Sequence, residues 1–305
     1  VNQDQIDAGF AHVRAERFLR AHAADVRDPE FWRRLNPGLT ISERPMAAAP
    51  APLPVDEAMT ARAARQIVDE GYFQIPPIVP AERLAALRDA AGRIVEAGFP
   101  SGFACVYDEF YQAFQGLEPL FTPLLGERYL MVLQGLWTYV VPAGDPAYRQ
   151  WTTVAPHRDT LGPDARVIAR QTPAIINVWI PLTDVSILDS CIYVVPAPGD
   201  PDYHSSDRRV RPDRFRLQDV RALPAARGSV LGWTTHLVHW GSRSSAFAAG
   251  PRMAITVYFQ RRDVAPMHAA TSELGAPMPF EARLAWIAGS LGIADLWDKM
   301  KERHA

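Results

Sequence analysis

Cysteine is almost missing from this chain: among 305 residues only Cys105 and Cys191 occur. Two thiols cannot build a disulfide framework or a thiolate metal site, and both read as small buried hydrophobes. Lysine is equally scarce. Lys299 and Lys301 are the only two, so nearly all of the 32 basic side chains are arginine. Schiff-base and pyridoxal chemistry, which need a lysine held in a pocket, are thereby excluded. The longest apolar runs, at 129–141 and 175–182, fall short of the roughly 20 residues that span a bilayer. Charge of one sign is missing too, since 32 basic residues face 34 acidic ones for a net charge of −2. With no sustained basic run there is no footprint for nucleic acid and no polybasic membrane anchor. The expected partner is a small-molecule substrate, with no nucleic acid and no membrane; nothing points to an oligomeric state. The opening VNQDQIDAGF has neither a basic nor an apolar leader region, so the expectation is a cytoplasmic protein.

A hydrophobic fraction of 48 % and a charged fraction of 22 % describe an ordinary globular chain and exclude disorder. Residues 1–55 read as a helical N-terminal extension, with Ile6, Phe10, Val13, Phe18 and Leu19 at helical spacing, followed by a Pro/Ala linker at 44–54. The body of the protein is expected over 56–305. Two amphipathic helices, 56–71 and 81–98, flank a short extended piece. Beyond residue 125 short Val/Ile/Trp/Tyr/Thr stretches alternate with turn residues, predicting strands at 129–141, 166–169, 174–182, 191–196, 228–233, 236–240 and 252–260. A helix at 280–300 ends the chain. That spacing predicts a mainly β protein with flanking helices, built as a barrel or jelly roll.

Strand alternation sorts side chains by face. In 252–260, Met253, Ile255, Val257 and Phe259 form an apolar face, while Arg252, Ala254, Thr256 and Tyr258 form a mixed one. In 175–182, Ile176, Val178, Ile180 and Leu182 oppose Asn177 and Trp179. Two such strands suggest a sheet with helices on one side and a polar cavity on the other, and a sandwich strand with one solvated face gives the same pattern.

The chemistry concentrates at His157-Arg158-Asp159. In extended backbone residues 157 and 159 project together, so one imidazole and one carboxylate can grip the same ion, while Arg158 points away. A third ligand is available from His236 or His239 in THLVHWGS; three apart on a regular strand they face opposite ways, so at most one serves. Two histidines and a carboxylate form the facial triad of non-haem Fe(II) oxygenases, which leaves positions open for co-substrate and O2. Arg252 follows at the start of the next strand, and a guanidinium fork is the natural partner of a carboxylate such as the distal one of 2-oxoglutarate. A cupin-like hydrolase or isomerase using another divalent metal at the same His/Asp/His site fits the three ligands as well, but has no use for Arg252.

Over most of residues 62–262 the chain resembles the phytanoyl-CoA dioxygenase-like branch of the Fe(II)/2-oxoglutarate-dependent oxygenases. The resemblance rests on IVDEGYFQIPPIVPAERLAALRDAA, HRDT at 157–160, NVWIPLTDVSILDSCIYVVPAPGD, and GSVLGWTTHLVHWGSRSS followed by Arg252. It implies a double-stranded β-helix (jelly-roll) core, with Fe(II) on His157, Asp159 and His239 and 2-oxoglutarate anchored by Arg252. Ser242 and Trp179 match positions that help hold the co-substrate, with Asn177 on the face of Trp179. Gln134 and Thr138, which share a face if 129–141 is a regular strand, are expected to line the substrate pocket. Trp240 stands where the family runs directly from histidine to glycine-serine. The implied reaction uses O2 to hydroxylate an unactivated C–H of a small molecule, an amino acid or natural-product intermediate, releasing succinate and CO2. Because Asp159 fills the carboxylate position, halogenation is excluded, whereas desaturation, epoxidation and cyclisation stay compatible. Trp137, Tyr139, Trp151, Tyr111 and Phe114 are the aromatic residues available to pocket or core.

Overall fold

The computed structural model describes residues 23–42, 53–144, 155–159, 173–205, 209–265, 271–273 and 278–291. The apolar pattern at 6–19, most of the Pro/Ala stretch, Trp151, the 166–169 strand and the end of the last helix lie outside them. The described helices are α1 (Ala23–Arg27), α2 (Pro29–Leu35), α3 (Glu57–Glu70), α4 (Ala81–Glu96), α5 (Asp108–Gln112), α6 (Glu118–Leu125) and α7 (Phe280–Ser290). The strands are β1 (Tyr72–Ile75), β2 (Tyr129–Val141), β3 (Ile175–Pro181), β4 (Ile192–Val195), β5 (Arg221–Leu223), β6 (Val230–Thr234), β7 (Val238–Gly241), β8 (Arg252–Arg261) and β9 (Thr271–Ser272). They form a six-stranded sheet ordered β1-β6-β3-β8-β2-β9 and a three-stranded sheet ordered β5-β4-β7, with antiparallel pairing throughout. This is the expected mainly β, jelly-roll architecture with flanking helices. No described helix is long and apolar enough to cross a membrane.

Local chemistry explains the helices. The Asp56 side chain accepts from Met59 N at 2.6 Å and caps the start of α3. At its end Gly71 takes a left-handed φ of 82°, a conformation glycine adopts without a Cβ clash, and the chain turns directly into β1. In α4, Leu84, Leu87, Ala90, Ala91 and Ile94 are buried along one stripe.

The large sheet is two-sided. Ile176, Val178, Ile180, Ile255, Val257 and Phe259 join the helices in the main core. Trp179, Leu231, Trp233 and Ala254 pack instead with Ile192, Val194 and Leu223 of the smaller sheet. Alternation in β3 and β8 therefore separates a helix face from an inter-sheet face, and the cavity lies on the latter.

Four findings differ from the sequence expectations. Trp32 is fully buried and stacks on Phe103 at 5.3 Å, and Val26, Leu39, Ile41 and Leu53 belong to the same cluster. Burying an indole removes enough apolar area for roughly 4–6 kcal/mol, so residues 23–42 are part of the core and not an appendage to it. The segment between α4 and β2, to which the sequence pattern assigns no element, carries a 3-10 turn (Ser101–Val106), α5 and α6. Strands β5 and β9, with three and two residues, are too short to show any period. Most consequential is a register shift in β2 between Val132 and Trp137, which exchanges the faces of the strand partway along it.

One buried ion pair ties α7 to the body. Arg283 and Asp108 are both fully buried with 2.7 Å between Nη2 and Oδ1. Arg283 also donates to Ser42 O at 2.7 Å, and Asp108 accepts from Ser42 N and Thr40 Oγ1. Truncating one member of such a pair leaves the other charge buried and costs about 3–5 kcal/mol. Arg283→Met is accordingly expected to lower stability by that amount in urea denaturation, and Arg283→Met with Asp108→Asn to recover part of it. A single variant as stable as the parent would remove the ion pair from this account.

Candidate metal and co-substrate site

Two backbone segments far apart in sequence meet at the site. His157 N donates to His239 O at 3.1 Å and His239 N to His157 O at 2.9 Å, an antiparallel bridge that sets the two residues directly opposite each other. Their rings lie 4.3 Å apart. Asp159, two residues on, falls on the same side, and its Oδ1 is 3.6 Å from His239 Nε2. The potential ligand atoms of His157, Asp159 and His239 all lie within 4.8 Å of one another.

The ring orientations are fixed by backbone carbonyls. His157 Nδ1 is 3.1 Å from Ala155 O, and His239 Nδ1 is 3.0 Å from Leu237 O. A carbonyl only accepts, so each Nδ1 carries a proton, and Nε2 is the ring nitrogen turned toward the site, as in a metal-ligating imidazole. Burial, reinforced by the neighbouring His239, pushes the His157 pKa down to about 4 against the opposing pull of Asp159. His157 is therefore neutral at physiological pH. Trp233 closes one side, its ring 4.9 Å from that of His239.

These residues open onto a cavity of about 250 Å³. Arg252, 2 % exposed, begins β8 at another wall. Its Nη1 donates to Ser190 O at 2.8 Å, and its guanidinium carbon is 5.9 Å from the centre of the Tyr139 ring. Gly241 gives it room, since a Cβ there would stand 3.2 Å from Nη1. Trp179 and Asn177 of β3 line the cavity between these ends with Thr256, whose hydroxyl donates to Asn177 Oδ1. Trp137, Tyr139 and Tyr258 supply aromatic walls, and Ser290 at the end of α7 a further edge. Burial and the charge of Asp159 raise the Tyr139 phenol to about 12 and the Tyr258 phenol well above its ordinary value. Both stay protonated donors.

Of the residues singled out in the sequence, His157, Asp159, His239, Arg252, Trp179 and Asn177 are brought to this one cavity. Thr138 is not. It pairs with Ile255 on the helix side, where its hydroxyl lies 3.9 Å from Cys105 Sγ and its carbonyl accepts from Ser101. The β2 irregularity is the cause: Val132 opposes Tyr258 and Trp137 opposes Thr256, so five residues of β2 span two of β8 and the cavity face passes from even to odd numbers. Gln134 sits inside that irregularity, and its side chain lies outside the described residues. Ser242 is displaced as well: Gly241, on the same side as His239, lines the wall, while Ser242 bonds through its backbone to Cys191 O and to the Ser190 hydroxyl. Tyr111 and Phe114 belong to the core. His236 points elsewhere, with Nδ1 3.2 Å from Tyr203 O.

Sequence reasoning passed over Ser190. It is the one non-glycine among the described residues with positive φ, at 62°. Its carbonyl holds Arg252 and its hydroxyl holds the Ser242 carbonyl. Strained backbone at a ligand wall is a recognised functional signature, but no sequence pattern announces it. Gly135 was missed for a different reason: a Cβ there would meet the Tyr258 ring at 1.8 Å, a contact that exists only because of the irregularity in β2.

No protein-family profile and no curated protein matches the chain. Among solved structures it is similar to the apo form of ThoJ, a non-heme monooxygenase, with a TM-score of 0.54 and 13 % identity over 79 % of this chain and 99 % of that one. The nickel complex of ThoJ gives 0.53 and 14 % over 78 % and 98 %. SnoK, a non-heme alpha ketoglutarate dependent carbocyclase from nogalamycin biosynthesis, gives 0.49 and 17 % over 73 % and 96 %. At such identities what is shared with ThoJ is the fold.

Proposed function

We propose that this protein is an Fe(II)- and 2-oxoglutarate-dependent oxygenase of the phytanoyl-CoA dioxygenase-like kind, acting on a small molecule. The observation that carries the reading is the joint one: a neutral His157, Asp159 and His239 face the same cavity as a buried arginine. Two imidazoles and one carboxylate suit Fe(II) and leave three positions for other ligands. With 2-oxoglutarate and O2, bound iron supplies an oxidant strong enough to take hydrogen from an unactivated C–H bond, with succinate and CO2 as co-products.

The chain's own residues do the rest. His157, Asp159 and His239 hold the ion, and the carbonyls of Ala155 and Leu237 keep both imidazoles turned toward it. Arg252 forks onto the distal carboxylate of 2-oxoglutarate, oriented by Ser190 O and flanked by Tyr139. Asn177 and Trp179 would line the cavity beside the co-substrate, and Ser242 follows Gly241 at the wall, held by its backbone to Cys191 and Ser190. The rings of Trp137, Trp179, Trp233 and Tyr258 exclude water and strengthen every charge interaction inside. Hydroxylation is the outcome that best fits a filled carboxylate position, and an amino acid or natural-product intermediate is the kind of substrate the cavity suits.

Replacing Asp159 with alanine removes the anionic ligand, so both iron retention and succinate release should be lost. Full turnover by that variant would be incompatible with the triad. Arg252→Ala tests the co-substrate separately. A carboxylate desolvated without its partner loses on the order of 2–5 kcal/mol, or roughly thirtyfold or more in apparent affinity for 2-oxoglutarate. Iron binding should survive. Arg252→Lys should restore only part of the affinity, because an ammonium cannot make the planar two-point contact. The readout is the 2-oxoglutarate dependence of succinate release with iron occupancy measured alongside. An unchanged curve for the alanine variant with iron in place would remove Arg252 from the co-substrate site, and a parent chain that holds a divalent metal but releases no succinate would leave a metal-dependent hydrolase or isomerase as the better reading.

A further inference from the structure

Arg158 lies between two of the proposed ligands and points away from both. Its side chain is 4 % exposed and that of Asp200 is 2 % exposed. The two make a bidentate pair, Nη1 to Oδ2 at 2.6 Å and Nη2 to Oδ1 at 3.0 Å. The same guanidinium donates to the backbone carbonyl of His236, three residues before His239. Asp200 is itself held, its Oδ1 accepting from Asp202 N and its carbonyl from Tyr203 N. Tyr203 in turn reaches the other ligand segment: its hydroxyl bonds Thr234 Oγ1 at 2.7 Å and its carbonyl faces His236 Nδ1. The loop after β4 thus holds the side chain of Arg158 on one side of the His157–His239 bridge and those of Thr234 and His236 on the other.

That grip answers a mechanical need. Within the described residues the 155–159 segment pairs with β7 at a single residue, His157 opposite His239. The bridge fixes one point of the segment, and a displacement of about 1 Å at Asp159 is large on the scale of a metal–ligand bond of about 2.1 Å. The buried Arg158–Asp200 pair adds an anchor on the opposite face. We infer that Arg158 and Asp200 are positioning residues for the metal centre: without touching metal or substrate, their buried pair sets the distance of Asp159 and His157 from His239, and so sets metal affinity. An arginine is required because one planar fork serves the carboxylate and the His236 carbonyl together.

The inference rests on the proposed metal centre, and the test separates the two. Co(II) is titrated into the metal-free full-length chain and followed by its absorption spectrum, with thermal unfolding of the metal-free proteins in parallel. The variants are Arg158→Lys, Asp200→Asn and the neutral double Arg158→Met with Asp200→Leu. Arg216→Met, from the exposed Arg216–Asp219 pair, is the control. Residues behind metal ligands typically affect affinity by 10–100-fold. Arg158→Lys and Asp200→Asn are expected to weaken Co(II) binding by about that factor, and Arg216→Met to leave it unchanged. The double variant buries no lone charge, so its melting temperature should return toward that of the parent while its Co(II) affinity stays low. Parental affinity in the double variant, or affinity that follows melting temperature through the whole series, would overturn the positioning role. A parent chain that binds no Co(II) would overturn the metal centre itself, and this inference with it.

Discussion

The site depends on one pair of backbone hydrogen bonds, those exchanged by His157 and His239. In the hydrogen-bonded position of an antiparallel pair the two α-carbons sit about 5.5 Å apart and their side chains leave on the same face. That geometry alone brings two imidazoles to neighbouring positions from segments more than eighty residues apart. Alternation does the remainder: Asp159 returns to the face of His157, Gly241 to that of His239, and Arg158 is turned to the back. Carbonyl contacts at each Nδ1 then choose the tautomer.

Around this point the fold arranges a division between apolar and polar burial. The helix face of the large sheet is filled by aliphatic and aromatic side chains, where close packing alone is required. Its other face carries Asn177, Arg252 and Thr256, all 5 % exposed or less. Buried polar groups are tolerable only where partners meet them. Here the partners are a serine carbonyl in a left-handed turn, an amide and a threonine hydroxyl. Because they stand on strands, the wall is more rigid than one made of loops.

Regular backbone made much of this readable beforehand. Period two assigned both faces of β3 and β8 correctly, whereas His236 and His239 diverge for another reason, since His236 lies in the turn before β7 and not on the strand. The helices α3 and α4 showed in their apolar spacing. Reading failed where the backbone departs from a period. Thr138 was placed on the wrong face because a regular strand was assumed through 133–136. Trp240 looked like an interruption of His-Gly-Ser, yet it occupies the outward position between His239 and Gly241, stacked on Tyr193 at 5.7 Å. Ser190, Asp200 and Tyr203 act through contacts with distant segments, and sequence spacing holds no record of such contacts. The burial of Trp32 was hidden for a related reason, since its partners Phe99 and Phe103 lie some seventy residues downstream.

The irregularity in β2 gives the cavity an unusual genetic property. Which residues of β2 face the cavity beyond the irregularity follows from how many lie between Val132 and Trp137, with Gly135 leaving room for the Tyr258 ring. One codon gained or lost in that interval would exchange Trp137 and Tyr139 for their neighbours at the wall. His157, Asp159, His239 and Arg252, carried on other segments, would keep their places. A lineage built on this chain can therefore alter the shape of the cavity in a single step of length, while the residues proposed to hold metal and co-substrate are inherited unchanged.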